Sequence, residues 1–162
     1  MLASAIEQNR IYAARKQQTL ELICKQDCML EVDVERMNEV LDNLISNAMK
    51  YSAQGKRIII RSQIKYQGEE SNRAPVVCIG IQDEGQGLSE EDMKKLFGRF
   101  QRLSAHPTGN ESSTGLGLSI VKQLVELHGG KVWAESEGKD KGATFFVELP
   151  IEHSQLIRTN EL

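Results

Sequence analysis

Two glycine-rich turns, Asp83-Glu84-Gly85-Gln86-Gly87 and Ser113-Thr114-Gly115-Leu116-Gly117-Leu118, bracket a polar and basic loop in this sequence. The first turn follows an apolar segment in which Val77, Ile79 and Ile81 occupy alternate positions. Because successive side chains of a strand point to opposite faces, this parity places the carboxyl group of Asp83 at the inner end of a buried face. A buried carboxylate needs a hydrogen-bond donor to offset its desolvation, and we find none for it in the neighbouring sequence.

The second turn leads into an apolar, helix-favouring run over residues 118–127. Its glycine amides therefore lie at the N-terminus of a predicted helix, where free N–H groups and the helix dipole favour phosphate. The first turn thus offers a buried hydrogen-bond acceptor, and the second offers backbone N–H groups that can bind an anion. A ligand that carries an amino-bearing ring and a phosphate tail would satisfy both turns.

Length and composition limit the possible classes of protein. The chain has 162 residues, 40% of them hydrophobic, and a formal net charge of -3, which fits one globular domain with a substantial core. The slight acidic balance and the scarcity of aromatic residues argue against nucleic acid binding. The sequence contains neither a long apolar run nor a signal-peptide pattern, so we expect a cytoplasmic segment without direct membrane contact. Cys24, Cys28 and Cys78 form no disulfide framework and no spaced metal motif, and we expect reduced structural thiols.

An amphipathic helix over residues 34–51 is the strongest periodic signal, and Asp33 is suited to cap its N-terminus. Its apolar positions recur three and four residues apart and are Met37, Val40, Leu41, Leu44, Ile45, Ala48 and Met49. Asn43, Asn47 and Lys50 line a neighbouring stripe. A solvated face would explain this stripe, but asparagine is a poor helix former, and two asparagines one turn apart suggest a function. An amide oxygen can ligate a hard cation such as Mg²⁺, and a lysine can bind phosphate.

The remaining pattern predicts an α/β fold. Strands are predicted at residues 19–24, 29–32, 57–65, 76–83, 131–136 and 143–149, and further helices at 89–97 and 115–128. We expect an α/β two-layer sandwich, with a mixed sheet of about five strands and the helices at 34–51, 89–97 and 115–128 on one face. Residues 1–17 are typical of a helix with a thin apolar stripe, residues 18–150 form the predicted domain, and residues 151–162 are a polar tail or linker.

Five short motifs, in the same order along residues 19–150, resemble those of the ATP-binding catalytic domain of sensor histidine kinases. Residues 43–52 resemble the N box, 83–87 the first glycine box, 97–100 the F box, 115–118 the second glycine box and 142–145 the last one. Each motif alone is weak, but five in order make a specific match. The resemblance implies the Bergerat-type ATP-binding fold, which gyrase, heat-shock-ninety and mismatch-repair ATPases share.

Carried over residue by residue, the resemblance implies a site for ATP and Mg²⁺. Asn47 would bind the metal, Lys50 a phosphate, and Asn43 would support this end of the site. Asp83 would accept a hydrogen bond from the adenine amino group, and Thr144 would support Asp83 by a hydrogen bond, directly or through water. The other implied contacts are Tyr51 along the nucleotide, Gly85 and Gly87 beside the base, and Gly115, Leu116, Gly117 and Leu118 at the phosphates.

The resemblance also implies a mobile lid over the nucleotide at residues 99–113, which the F box would tether. The composition of this loop is typical of an irregular surface turn. Arg99 and Arg102 would reach phosphates or an acid of a partner, and a solvated role for them is equally open.

The residue at position 43 bears on whether the domain transfers the phosphoryl group of ATP or hydrolyses it. The related ATPases carry a glutamate four residues before the metal-binding asparagine, where it activates water. Here this residue is Asn43, and an amide cannot take up a proton at neutral pH. We therefore expect the pocket to hold ATP for another nucleophile. The alternatives are a hydrolytic relative of the same fold, and an anti-sigma-type regulatory or serine kinase module.

The sequence lacks the setting of a phosphoacceptor histidine around His106, His128 and His153. Residues 1–17 resemble the end of the second helix of a dimerisation and phosphoacceptor hairpin. The expected function is therefore that of a protein-histidine kinase catalytic domain, with the acceptor histidine outside this chain. The resemblance implies a homodimeric parent kinase and a downstream response regulator as partners, and it leaves open whether the parent protein is anchored in a membrane.

Overall fold

Five strands and four helices make up the part of the chain that the computed structural model describes, which is residues 1–26, 28–68, 74–101, 103–109 and 115–152. The helices are α1 (Leu2–Arg15), α2 (Val34–Tyr51), α3 (Glu90–Lys95) and α4 (Gly117–Leu127). The strands are β1 (Thr19–Cys24), β2 (Arg57–Gln67), β3 (Ala74–Asp83), β4 (Lys131–Glu135) and β5 (Ala143–Pro150).

The strands form one mixed sheet in the order β1-β2-β3-β5-β4. The pair β1 and β2 is parallel and is connected through α2, because a parallel pair requires a long crossover. The other three pairs are antiparallel. The last residue of the central strand, Asp83, consequently lies between Ile58 of β2 and Ala143 of β5. The predicted α/β fold with a five-stranded mixed sheet is confirmed.

Helix α2 forms the centre of the core. All seven of its predicted apolar positions are buried, and Met37, Val40, Leu41 and Ile45 are fully inaccessible. The side chain of Asp33 caps the helix by accepting a hydrogen bond from the backbone N–H of Arg36. The 3.6-residue period and this cap account for helix bounds that agree with the prediction.

The other helices confirm the predicted elements with slightly shorter bounds. Ser89 caps α3 in a reciprocal capping box with Asp92. His128 follows α4 and connects its end to α2, because Nδ1 contacts the carbonyl oxygen of Leu124 and Nε2 accepts from the N–H of Asp33. Helix α1 packs on α2 and buries Ala5, Ile6, Asn9 and Ala13.

The predicted strand at residues 29–32 is wrong, because this segment pairs with no described strand. Its alternation is nevertheless real, since Leu30 and Val32 pack against the core while Met29 is exposed. The segment crosses from the sheet to the start of α2, so it buries every second side chain without forming a ladder. Alternation reports burial on one side, and it does not report a pairing partner.

Candidate functional site

Asp83 ends β3 in a buried position, with 7% of its surface exposed. Its Oδ1 accepts hydrogen bonds from the backbone N–H groups of Gly85, at 2.8 Å, and Ala143, at 3.3 Å. The expectation that the neighbouring sequence supplies no donor is therefore wrong, because the turn folds back onto the carboxylate two residues later. Among the described residues no donor reaches Oδ2, which leaves this oxygen to accept a hydrogen bond from a ligand.

Burial raises the pKa of the Asp83 carboxyl from 3.8 to about 6, although hydrogen bonds from Gly85 and Ala143 lower it. Desolvation disfavours the charged form, and two backbone donors do not offset this cost. The group is nevertheless mostly ionised at neutral pH. A ligand that donates a hydrogen bond to Oδ2 would therefore meet a charged acceptor in a dry environment, where such a bond is strong.

Protein backbone fills the space beside the two glycines of this turn. A β-carbon on Gly85 would lie 2.6 Å from the carbonyl oxygen of Tyr51, and one on Gly87 would lie 2.0 Å from that of Gly138. Gly87 also has a φ of +69°. The resemblance implies that these glycines make room for a base, and Gly87 lines the cavity with Asp83. The structure gives both glycines a further reason, which is the contact of the turn with α2 and with the β4–β5 connection.

We expect Gly87→Ala to lower the free energy of unfolding by about 2–4 kcal/mol, because it adds a backbone clash to an unfavourable φ. Gly55→Ala is the matched control, since Gly55 has a φ of +79° and nothing within 4 Å of an added β-carbon. We expect the control to cost about 1 kcal/mol. Urea unfolding measures both changes, and equal losses in the two variants would contradict the close contact.

The polar residues predicted for the site on α2 do not all line the same cavity. Asn47 and Tyr51 line a cavity together with Asp83, as predicted for one site. Asn43 instead donates a hydrogen bond to the carbonyl oxygen of Glu39, and its Oδ1 lies 2.7 Å from the point that a β-carbon on Gly117 would occupy. The structure does not bring Lys50 to the cavity with Asp83; it lines a separate cleft of about 750 Å³ beside α1.

The second glycine turn joins the same site through the start of α4. Leu118 lines the cavity, and Gly115 has a φ of +70° that favours glycine. The helix begins at Gly117, and no side chain of the described residues caps its N-terminus. Its first N–H groups therefore remain suited to bind an anion, as the sequence predicts.

Residues 103–109 cover the cavity and are attached at three points. Ser104 donates from its backbone N–H and from its hydroxyl group to Asp92. Gln86 exchanges two hydrogen bonds with the backbone of His106. The hydroxyl group of Thr108 contacts the carbonyl oxygens of Lys50 and Ser52, at the end of α2. These residues belong to the predicted lid, of which Arg102 and residues 110–113 lie outside the described part of the chain.

Asp92 holds the first attachment as a charged group. Burial acts to raise its pKa, but hydrogen bonds from Ser104 and Ser89 outweigh this effect and lower the pKa to about 2. Since this value is below the ordinary 3.8, the attachment contributes stability above about pH 4 and loses it as the pH falls towards 2.

The closed segment leaves a cavity of only about 30 Å³ beside Asp83. Leu103 and Ala105 of the segment line it, together with Leu88 and Phe145. The lining is thus apolar apart from a few polar side chains, as ligand pockets usually are. Gln86, Leu88, Leu103, Ala105, Ala143 and Phe145 are lining residues for which the sequence predicted no role.

Two predicted residues lie elsewhere. Thr144 pairs with Gln82, and its side chain lies near Gly80 on the face of the sheet opposite Asp83. Its expected side-chain support of Asp83 is therefore corrected: the backbone N–H of Ala143 makes the contact. Arg99 is exposed and is not among the residues that line the cavity.

The described residues contain neither a cluster suited to a metal ion nor a helix suited to span a membrane. No group of three His, Cys, Asp or Glu side chains could hold a metal ion there. No helix in the described ranges is long and apolar enough to cross a membrane.

Comparisons with known proteins agree with this geometry. The family model described as "Histidine kinase-, DNA gyrase B-, and HSP90-like ATPase" matches residues 32–153. The chain is 38% identical over 144 residues to the sensor histidine kinase WalK of Bacillus subtilis, with 86% of this chain and 22% of that protein covered. It is 40% identical over 131 residues to WalK of Staphylococcus aureus, with 80% of this chain and 30% of that protein covered. The chain thus spans less than a third of these relatives.

Solved structures share the fold. A mycobacterial sensor histidine kinase, MprB, superposes with a TM-score of 0.76 at 24% identity, and 92% of each chain is covered. Full-length ShkA in complex with AMPPNP superposes with a TM-score of 0.73 at 22% identity, covering 92% of this chain and 29% of that one. The chain therefore belongs to the histidine kinase-, DNA gyrase B- and HSP90-like ATPase family, as an ATP-binding catalytic domain of the sensor histidine kinase type.

Proposed function

We propose that this domain binds ATP with Mg²⁺ and donates the γ-phosphoryl group to a histidine outside the chain. The observation that carries the proposal is the buried carboxylate of Asp83, which has one oxygen held by backbone N–H groups and the other left for a ligand. The adenine amino group would donate to this oxygen, Tyr51 would lie along the nucleotide, and the phosphates would meet the start of α4.

The residues that line the site include a side chain that can bind Mg²⁺. Asn47 lines the cavity, and its amide group makes no hydrogen bond with the described residues, so its oxygen can ligate Mg²⁺. The metal would neutralise charge on the phosphates. Lys50, which lies one turn further along α2, would have to turn from the neighbouring cleft to bind a phosphate.

Nucleotide entry requires residues 103–109 to move. A cavity of about 30 Å³ is too small for ATP, and Leu103 and Ala105 of this segment line it. The attachments through Gln86 and Thr108 consist of exposed or partly exposed hydrogen bonds, which open at low cost. The described conformation is thus a closed state, and nucleotide binding would displace residues 103–109 from the cavity.

Transfer is favoured over hydrolysis by the side chain at position 43. The amide of Asn43 donates to the carbonyl oxygen of Glu39 and lies beside Gly117, and it has no basic atom that could activate water. Phosphoryl transfer depends mainly on positioning and electrostatics, which this site can provide for an external nucleophile. The proposed partners are the dimerisation and phosphoacceptor domain of a homodimeric, cytoplasmic-facing parent kinase and a response regulator.

A reaction with separately expressed phosphoacceptor domain and γ-labelled ATP tests the function. We expect acid-labile, alkali-stable label on a histidine of the acceptor. Release of free phosphate without acceptor would instead support a hydrolytic relative, and label on serine would support a regulatory serine kinase. Domain carrying Asn47→Asp is the control, and it should transfer little label.

The affinity for ADP should rise as the pH increases from 5 to 7 and should be constant above that range. Below its pKa of about 6, Asp83 is protonated and does not accept the adenine amino group as a charged acceptor. The phosphates of ADP also titrate in this range, so the difference between the wild type and Asp83→Asn isolates the carboxylate. Calorimetry at several pH values measures this difference, and a pH-independent difference would contradict the assignment.

A further inference from the structure

Ser52 carries a hydroxyl group that makes no hydrogen bond with any described residue. The residue directly follows α2 and is 0% exposed. A buried hydroxyl group without a partner costs about 1–3 kcal/mol, so its presence in a folded domain requires an explanation.

The backbone carbonyl group of Ser52 accepts hydrogen bonds, whereas its hydroxyl group makes none with the described residues. The carbonyl oxygen accepts from Nε2 of Gln18, at 2.9 Å, and from the hydroxyl group of Thr108, at 2.8 Å. These contacts hold the residue in an extended conformation with φ -101° and ψ 141°. Rotation about χ1 between staggered positions is therefore the freedom that remains to the hydroxyl group.

The hydroxyl group lies near the Asp83 carboxylate, beside the Gly85 turn. The point that a β-carbon on Gly85 would occupy lies 3.1 Å from Oγ of Ser52 and 2.8 Å from Oδ1 of Asp83. Both oxygens thus lie close to the same point beside Gly85. The N–H of Gln86 also reaches the carbonyl oxygen of Tyr51, so the turn and the end of α2 are held together at this point.

We propose that Ser52 is a positioning residue for nucleotide binding, which donates a hydrogen bond to the Asp83 carboxylate when the nucleotide is bound. The inference rests on the proposed function, in which Asp83 accepts from adenine. A bound adenine holds the carboxylate ionised and engages Oδ2, and an ionised carboxylate is stabilised by a third donor. In the empty domain two backbone N–H groups already donate to Oδ1 of Asp83, and the hydroxyl group of Ser52 makes no hydrogen bond with the described residues.

A double-mutant cycle with Ser52→Ala and Asp83→Asn tests the inference. We expect Ser52→Ala to weaken ADP binding about three- to tenfold in the wild-type background and less than about twofold in the Asp83→Asn background, because the hydroxyl group acts through the charge. The stability of the empty domain should remain unchanged or rise, since Ser52→Ala removes an unpartnered polar group.

Ser62→Ala is the matched control, because Ser62 is also buried and its hydroxyl group contacts Sγ of Cys24 away from the cavity. The control should bind ADP with wild-type affinity. Unchanged affinity in Ser52→Ala, equal losses in the two backgrounds, or a loss of stability at wild-type affinity would each overturn the role of Ser52. If the wild-type domain binds ADP in these measurements, a negative result concerns only the role of Ser52. If the wild-type domain binds no ADP, the proposed function is overturned as well.

Discussion

Asp83→Asn is expected to weaken ADP binding by about ten- to hundredfold, because it replaces the proposed charged acceptor of the adenine amino group by an amide. The same variant should stabilise the empty domain. The carboxyl pKa rises from 3.8 to about 6 on folding, so the folded state binds a proton more readily, and stability from this group falls as the pH rises from about 4 to 6. Each pKa unit corresponds to about 1.4 kcal/mol, which gives a gain of up to about 3 kcal/mol at pH 7–8.

The gain in stability should disappear below about pH 4, where Asp83 is neutral in both states. Calorimetry measures the affinity, and urea unfolding at several pH values measures the stability. Asp140→Asn is the matched control, because Asp140 is exposed and has a φ of +62°, which asparagine tolerates well. Lower stability with wild-type affinity in Asp83→Asn would show that the carboxylate has a structural role instead.

Gly117→Val is expected to reduce ADP affinity more than about tenfold while the domain remains folded. A β-carbon at position 117 would lie 2.7 Å from Oδ1 of Asn43, so this side chain must turn away, and the valine methyl groups would cover the first N–H groups of α4. Because the obstacle is the end of a side chain, we expect stability to change by about 1 kcal/mol or less.

Gln123→Val tests whether a β-branched residue in α4 is itself harmful, since Gln123 is an exposed residue of the same helix. It should bind ADP normally. Circular dichroism reports the fold, and calorimetry reports the affinity. A folded Gly117→Val variant with wild-type affinity would count against phosphate binding at the start of α4.

Short sequence patterns correctly predicted the elements that depend on interactions within one helix or one strand. Helix α2 has the predicted bounds, because an uninterrupted apolar period and the cap at Asp33 both act within the helix. The alternation of apolar residues in β3 also lies within one strand, and it correctly placed Asp83 on the buried face.

Two of the errors concern contacts between distant segments. Alternation at residues 29–32 suggested a strand, but a strand also needs a neighbour with free backbone groups. Thr144 was assigned to Asp83 from motif order, whereas the register of β5 against β3 places Ala143 there. A one-residue difference reverses the face of a side chain, and sequence order does not report it.

Leu103 and Ala105 could not be identified as lining residues from the sequence. They lie in a polar loop without periodicity, and tertiary hydrogen bonds from Ser104 and His106 determine their position. The small volume of the Asp83 cavity is a consequence of this closed segment. Volume alone would therefore favour the cleft of about 750 Å³ beside α1, which contains Arg15 and Lys16, over the site that the chemistry of Asp83 indicates.

A crystal structure of the domain with a nonhydrolysable ATP analogue and Mg²⁺ tests this choice most directly. We predict an adenine amino group about 2.7–3.2 Å from an oxygen of Asp83, with residues 103–109 displaced from the cavity. Adenine bound in the cleft beside α1, with Leu103 still in place against the Asp83 cavity, would contradict the account.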